Sequence, residues 1–255
     1  MTELYELGLE DSDRVSNAFG GGLPSGSLVL VEGEHGAGKS VLGQRFCYGL
    51  CETGSTATYV SQEETSASFI EQMRSLDYDP VDHLLHERLL FLHADVDTFD
   101  AIDESRRDRS AAEDGPRREL LTRMMNAGTM WRSDVVVLDG FDAILLSDPQ
   151  FQRALEETRE DDVIQNVLSF FRQLLADGKT VVVTVNPESL SERALRPLRD
   201  TSGVYLRLNT KQVAGDVRRE IIVKKFANMV DQVDDSISFD VQVDRGITIV
   251  TRTVA

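Results

Sequence analysis

The sequence predicts an α/β fold: a mostly parallel sheet flanked by helices, with antiparallel strands added at the C-terminal end. Three observations carry this expectation. Apolar runs rich in β-branched residues recur between helical patterns, which is the signature of strands joined by helical crossovers. Beyond Gly203 that alternation gives way to short strand-like runs joined by polar turns. A glycine-rich loop lies between the first strong strand pattern and a helix, and it says where such a sheet keeps its site. At 255 residues the chain fits a single domain over 1–255 with a real core.

The elements follow in chain order. The N-terminus, MTELYELGLEDSD, is too acidic and polar for a secretory signal, and no stretch has the apolar length of a membrane span, so a cytoplasmic protein without a direct span is expected. SLVLV at 27–31 reads as a strand, and VLGQRFCYGL after the loop as a helix. Cys47 and Cys51 are four apart on that helix, a spacing that suits one core-facing stripe better than a disulfide. ATYVS at 57–61 and LLFLH at 89–93 are the next strands, with SASFIEQMRSL at 66–76 a helix between them. The segment 96–118 is charge-rich, mixed in sign and poor in apolar residues, and reads as a mobile surface loop. RELLTRMMNAGTMW at 118–131 is helical in pattern, DVVVLD at 134–139 a strand, and VIQNVLSFFRQLLADG at 163–178 a helix closed by Gly178 before the strand TVVVTV at 180–185. VYLRLN, REIIVKKF, SISFDVQV and GITIVTR supply the antiparallel extension.

The stretch from Gly33 to Ser40 fits G-x-x-x-x-G-K-[ST], a loop that cradles phosphates. Gly36 and Gly38 free the backbone to turn successive N–H groups toward one anion, with the following helix adding its positive end. The nucleotide-contacting stretch is therefore Gly33, Glu34, His35, Gly36, Ala37, Gly38, Lys39, Ser40 and Val41, with ATP the expected ligand. Lys39 would meet the β- and γ-phosphates, and Ser40 would offer its hydroxyl to Mg²⁺. The ion also needs a carboxylate at the end of a later strand, and Asp139 in VVVLDGF supplies it. Hydrolysis needs a group to orient or deprotonate water. The strand ATYVS leads into Glu63 and Glu64, of which only one can face the water, since neighbours in extended chain point oppositely. Glu63 is favoured, with Glu64 behind it. Thr184 and Asn186, at the end of TVVVTV, stand where they could sense the γ-phosphate. His35 lies in the loop itself; His83, His86 and His93 are assigned to packing or solvent, since no metal set assembles around them.

Acidic residues number 44 against 27 basic, a net charge of −17, and five of the basic residues are lysine. That balance opposes a nucleic-acid partner and suits a cytoplasm of very high salt, where self-repulsion is screened.

GGGLPSGSLVLVEGEHGAGKS at 20–40, YVSQEETSASFIEQMRSLDYD at 59–79 and VVVLDGF together resemble the KaiC/RecA-type ATPases, and more narrowly their archaellum branch, the accessory ATPases of the archaeal swimming motor. The resemblance spans about Leu7 to Val250. It implies a RecA-like nucleotide-binding core that assembles as a homo-oligomer, a hexameric ring among the options, with ATP between neighbours. It also implies docking to the archaellum motor ATPase and to the membrane and ring components of the motor, on the cytoplasmic face. In the family a C-terminal Lys-x-Arg motif reaches across the subunit interface; here that place reads Lys224, Lys225, Phe226, so Lys224 keeps the trans contact and the arginine is missing. Slow or no hydrolysis, with nucleotide gating assembly, follows from that loss. The competing readings are a DNA recombination or repair ATPase, opposed by the net charge, and a KaiC-like signalling ATPase or autokinase, for which no single Ser or Thr stands out.

Overall fold

The computed structural model describes residues 3–9, 13–102, 120–213, 216–227 and 235–250. Among them the chain runs β1 (Leu4–Glu6), α1 (Val15–Ala18), β2 (Gly22–Pro24), β3 (Leu28–Gly33), α2 (Lys39–Glu52), β4 (Ala57–Ser61), α3 (Ser66–Ser75), α4 (Val81–Leu85) and β5 (Leu89–His93). It continues with α5 (Val96–Ala101), α6 (Leu120–Asn126), β6 (Val135–Asp139), α7 (Phe141–Ser147), α8 (Pro149–Glu156), α9 (Glu160–Ala176), β7 (Thr180–Val185) and α10 (Glu192–Thr201). Four strands close the described chain: β8 (Val204–Val213), β9 (Asp216–Phe226), β10 (Ser236–Gln242) and β11 (Gly246–Ile249).

Among the described residues the main sheet has nine strands in the order β11-β10-β9-β8-β3-β7-β6-β4-β5. The six from β8 to β5 in that order are parallel, and β9, β10 and β11 extend the sheet antiparallel beyond β8. The expected α/β architecture is thus observed, antiparallel extension included. Two cores sandwich the sheet, and β3 shows how the sequence divides them: Leu28 and Leu30 point into one, Val29 and Val31 into the other. Helices α2 and α3 cover the second face, through Phe46, Leu50, Phe69 and Met73; α6, α7, α9 and α10 cover the first. Parallel strands buried on both faces read as continuous apolar runs, which is why VVVL and TVVVTV announced themselves.

The differences from the sequence expectation are local. The segment 96–118 is not wholly a surface loop, because its first turn and a half is α5: Asp95 caps it by accepting the Thr98 N–H at 2.6 Å, and Phe99 is fully buried. The remainder, 103–119, lies outside the described residues. The helix expected over 118–131 stops at Asn126, and a 3₁₀ turn at Met130–Arg132 follows Gly128. A helix-favouring composition there yields to the poor helix propensity of glycine. Gly178, at φ 82°, closes α9 as expected.

The N-terminal segment is tied to α2 through buried polar contacts. Arg45 is fully buried and pairs with Asp13 through Nε and Nη2, while Nη1 and Nη2 also donate to the Leu7 and Gly8 carbonyls at 2.7 and 2.8 Å. Gly49 permits this approach, since a Cβ there would stand 1.8 Å from the Leu7 oxygen and 2.2 Å from Arg45 Nη1. Cys47 and Cys51 are buried and free, and burial pushes the Cys51 thiol up to about 12 and Cys47 well above its usual value. No helix among the described residues is long and apolar enough to cross a membrane.

Candidate phosphate-loop site

The loop stands where a parallel sheet keeps its sites, at the carboxyl end of its strands. β3 ends at Gly33 and α2 begins at Lys39. Gly36 and Gly38, at φ 77° and 98°, turn the chain through the left-handed region. Gly33 is needed for a different reason, since a Cβ there would press on the Leu208 and Ala37 side chains at 3.0 and 3.1 Å. Because α2 has no side-chain cap, its first N–H groups stay available to an anion. Lys39 Nζ donates to the carbonyls of Gly33 and Glu34 at 2.8 and 3.0 Å, which holds the ammonium across the loop. Burial lowers the Lys39 pKa, and the carboxylates of Asp142, Asp139 and Glu63 work against that shift.

Asp139 ends β6, and its orientation is set by the neighbouring strand. Thr184 on β7 donates its hydroxyl to Asp139 Oδ1 at 2.7 Å and accepts the Gly140 N–H at 2.8 Å. The hydroxyl expected to sense the γ-phosphate is therefore already engaged: Thr184 is fully buried and positions Asp139. Asp142, on the first turn of α7, accepts the Asn186 backbone N–H at 3.1 Å, and Asn186 Oδ1 accepts that of Glu188 at the same distance.

These groups surround a cleft of ≈ 440 Å³. His35, Gly36, Gly38, Lys39, Ser40 and Val41 line it from the loop, Glu63, Asp139, Gly140, Asp142, Thr184 and Asn186 from the strand ends and just beyond them, and Gln72, Ser189, Arg219 and Val241 complete it. Gly33, Glu34 and Ala37 shape the loop without lining the cleft. Lys224 is also outside these walls. It is exposed on β9, at an irregularity of the β8–β9 pairing and level with the middle of β3 rather than with the loop.

The acidic pair divides as expected, although it lies past the end of β4, in a bend and not in extended strand. Glu63 is exposed and lines the cleft. Glu64 is turned back toward α2, where the Gln44 amide donates to both its oxygens at 3.3 and 3.4 Å and to Gln72 Oε1 at 2.9 Å. Burial, reinforced by Asp139 nearby, pushes the Glu64 carboxyl up to about 7. Tyr59 is buried close by, its phenol driven well above the usual value by burial and then by Asp139 and Glu64.

His83 and His86 are placed for packing and local hydrogen bonding as expected: His83 is buried with Nε2 2.9 Å from Glu52, and His86 bonds the Asp82 carbonyl. His93 pairs with the Glu64 carbonyl at 3.0 Å. Sequence reasoning missed Gln44, Gln72, Asp142, Ser189 and Arg219. Asp142 carried a usable signal, an acid on the first turn of a helix just after Asp139; Arg219 carried none.

Comparison with known proteins agrees with this geometry. The family model "ATPase: KaiC" matches residues 7–254. The chain is 30% identical over 253 residues to the archaeal flagellar ATP-binding protein FlaH of Methanocaldococcus jannaschii, covering 99% of this chain and 98% of that one. It is 24% identical over 245 residues to FlaH of Methanococcus voltae, covering 96% of each. Among solved structures, the flagellar accessory protein FlaH from Methanocaldococcus jannaschii superposes with a TM-score of 0.79 at 27% identity, over 98% of this chain and all of that one. A KaiC-like protein from Pyrococcus horikoshii superposes at 0.70 and 18% identity, over the same share of each chain, which speaks for the fold.

Proposed function

The chain belongs to the KaiC ATPase family, and from that premise we propose that it binds Mg-ATP at the Gly33–Val41 loop and acts as a nucleotide-gated subunit of the archaellum motor complex. The observation that carries the binding half is Lys39 and Asp139 lining one cleft, the lysine held across the loop and the carboxylate fixed by Thr184. Ser40 and Asp139 would hold the magnesium, which binds readily through one or two protein oxygens plus phosphate and supplies charge neutralisation there. Glu63, exposed in the cleft, is the candidate to orient or deprotonate water; Glu64 sits behind it.

The motor half rests on the FlaH names of the similar proteins. In this reading the protein works on the cytoplasmic face of the motor, assembles as a homo-oligomer and docks to the motor ATPase in its ATP state. Hydrolysis is slow or absent. Lys224, exposed and away from its own cleft, is available to the γ-phosphate of a neighbouring copy, whereas Phe226 stands where the family pattern has an arginine. A contact made in the ATP state alone couples nucleotide to assembly without fast turnover, since two states shift by their differential affinity. The net charge of −17 argues against a DNA role.

Two measurements test the two halves. Lys39→Ala, folded by circular dichroism, should bind Mg-ATP far more weakly than wild type; equal affinity removes the site. Sedimentation in ATP and in ADP at high salt should show larger assemblies in ATP, reduced by Lys224→Ala. Equal populations of wild type in both nucleotides end the switch, and an ATP effect that survives the mutation removes Lys224 from it.

A further inference from the structure

The cleft has a charge problem that its family-pattern residues do not solve. Glu63, Asp139 and Asp142 face Lys39, in a chain whose overall charge is already −17, and the expected ligand is itself a polyanion. Among the described residues one further cation lines the cleft, and it comes from the antiparallel extension of the sheet. Arg219 on β9 pairs with Phe239 of β10, and both lie against the loop: a Cβ on Gly38 would stand 3.4 Å from the Phe239 ring and 3.6 Å from Arg219 Cδ. The Arg219 side chain therefore runs directly over the glycine preceding Lys39.

Arg219 and Arg207 each bury an Nε with no hydrogen-bond partner among the described residues, but Arg207 is held through Nη2 by Glu32 and Tyr205 and does not line the cleft. Arg45 is held by Asp13 and two carbonyls, and Arg199 by Glu32 and Glu192, whereas Arg219 Nε is buried with no hydrogen-bond partner among the described residues. A buried donor without an acceptor is costly, and a phosphate oxygen is the acceptor that a planar guanidinium fits best. The flank matters as well. Asp139 and Glu63 rise from β6 and β4 on one side of β3, the side that would carry magnesium and the terminal phosphate. Arg219 approaches from β9 on the other side.

We propose that Arg219 is a nucleotide-binding residue acting in its own subunit, donating to the phosphates that ATP and ADP share. This rests on the reading of Gly33–Val41 as the nucleotide loop and adds a grip from the C-terminal strands, separate from the trans role given to Lys224. Anchored this way, the β9–β10 layer closes on the nucleotide regardless of its γ-phosphate, so the cation that distinguishes ATP from ADP must come from elsewhere.

Calorimetric titration with Mg-ATP and Mg-ADP at one fixed KCl concentration tests this on wild type, Lys39→Ala, Arg219→Ala, Arg219→Gln and Arg218→Ala, each first checked for a wild-type near-ultraviolet spectrum. Arg219→Gln keeps length and polarity where the alanine disturbs packing on Gly38. Both Arg219 variants should lose about 10- to 100-fold in affinity for ATP and ADP alike, the scale of a hydrogen bond to a charged group. Arg218→Ala, the exposed neighbour, should stay within about twofold of wild type. If Lys39→Ala abolishes binding while both Arg219 variants bind like wild type, the proposal is overturned and the loop reading stands. A loss confined to ATP overturns it too, because it moves the contact to the terminal phosphate. If Lys39→Ala binds normally, the loop reading falls and the proposal falls with it.

Discussion

Thr184→Val is the substitution that best separates positioning from sensing. Valine keeps the shape of threonine and removes its hydroxyl, which here serves two partners at once: it donates to Asp139 Oδ1 at 2.7 Å and accepts the Gly140 N–H at 2.8 Å. A hydrogen bond to a charged group contributes about 1.5–3 kcal/mol and a neutral one about 1 kcal/mol, so the variant should be about 2–4 kcal/mol less stable without nucleotide. A domain of ordinary stability, about 5–15 kcal/mol, survives that loss. The functional effect should fall on magnesium. A carboxylate without its orienting partner holds a metal about 10-fold less well or worse, so the Mg²⁺ concentration needed to support tight binding should rise, for ATP and ADP alike. Thr184→Ser should recover most of both effects. Urea titrations followed by circular dichroism give the stability, and magnesium titrations at fixed nucleotide give the affinity. Two results would refute the reasoning: a valine variant within about 0.5 kcal/mol of wild type, or a defect seen with ATP and not with ADP, which would return Thr184 to sensing the γ-phosphate.

Four further expectations follow from the same structure. Glu64, with its folded pKa raised to about 7, stabilises the fold while protonated, so its contribution is complete below the ordinary carboxyl range and is lost as pH rises through about 7. Denaturant midpoints of wild type should therefore fall from pH 5 to pH 8 relative to Glu64→Gln, and a constant difference between the two would contradict this. Any hydrolysis should drop in Glu63→Gln with binding preserved; if Glu64→Gln alone does this, and the wild-type rate rises with pH through 7, Glu64 is the base. Gly49→Ala should destabilise by more than about 3 kcal/mol or fail to fold, because its methyl would overlap the Leu7 carbonyl and the Arg45 guanidinium; a melting temperature near wild type would show that the N-terminal segment can move away. Finally, the melting temperature should rise from dilute to multimolar KCl as the net charge of −17 is screened, and an unchanged value would make the acidity ordinary.

What the sequence made legible and what it hid divide along contact distance. β4, β5 and β7 could be delimited to the residue from apolar runs, and Lys39, Ser40 and Asp139 from loop and strand-end chemistry, because each of those signals is complete within a few consecutive residues. The division of Glu63 from Glu64 was expected from alternation in extended chain, but it arises in the bend after β4, where Gln44 of α2 holds Glu64. Residues whose role depends on strand pairing were not legible. Thr184 stood in plain view at the end of β7, but its meaning comes from β6 lying next to β7, which puts its hydroxyl on Asp139 across 45 positions of sequence. Gln44 reads as one of several polar residues on α2 until the fold brings Glu64 and Gln72 to its amide. Arg219 is the extreme case. It sits in a run with Arg218 and Glu220 that looks like a solvated strand, and only the antiparallel return of β9 beside β8, itself paired to β3, carries it back to Gly38. A family pattern directs attention to the Lys-x-Arg position further along that strand and finds Phe226 there. The antiparallel return instead brings an arginine of the same strand to the phosphate loop of its own chain, so the loss of one cation from the pattern does not leave the C-terminal strands without a charge facing the cleft.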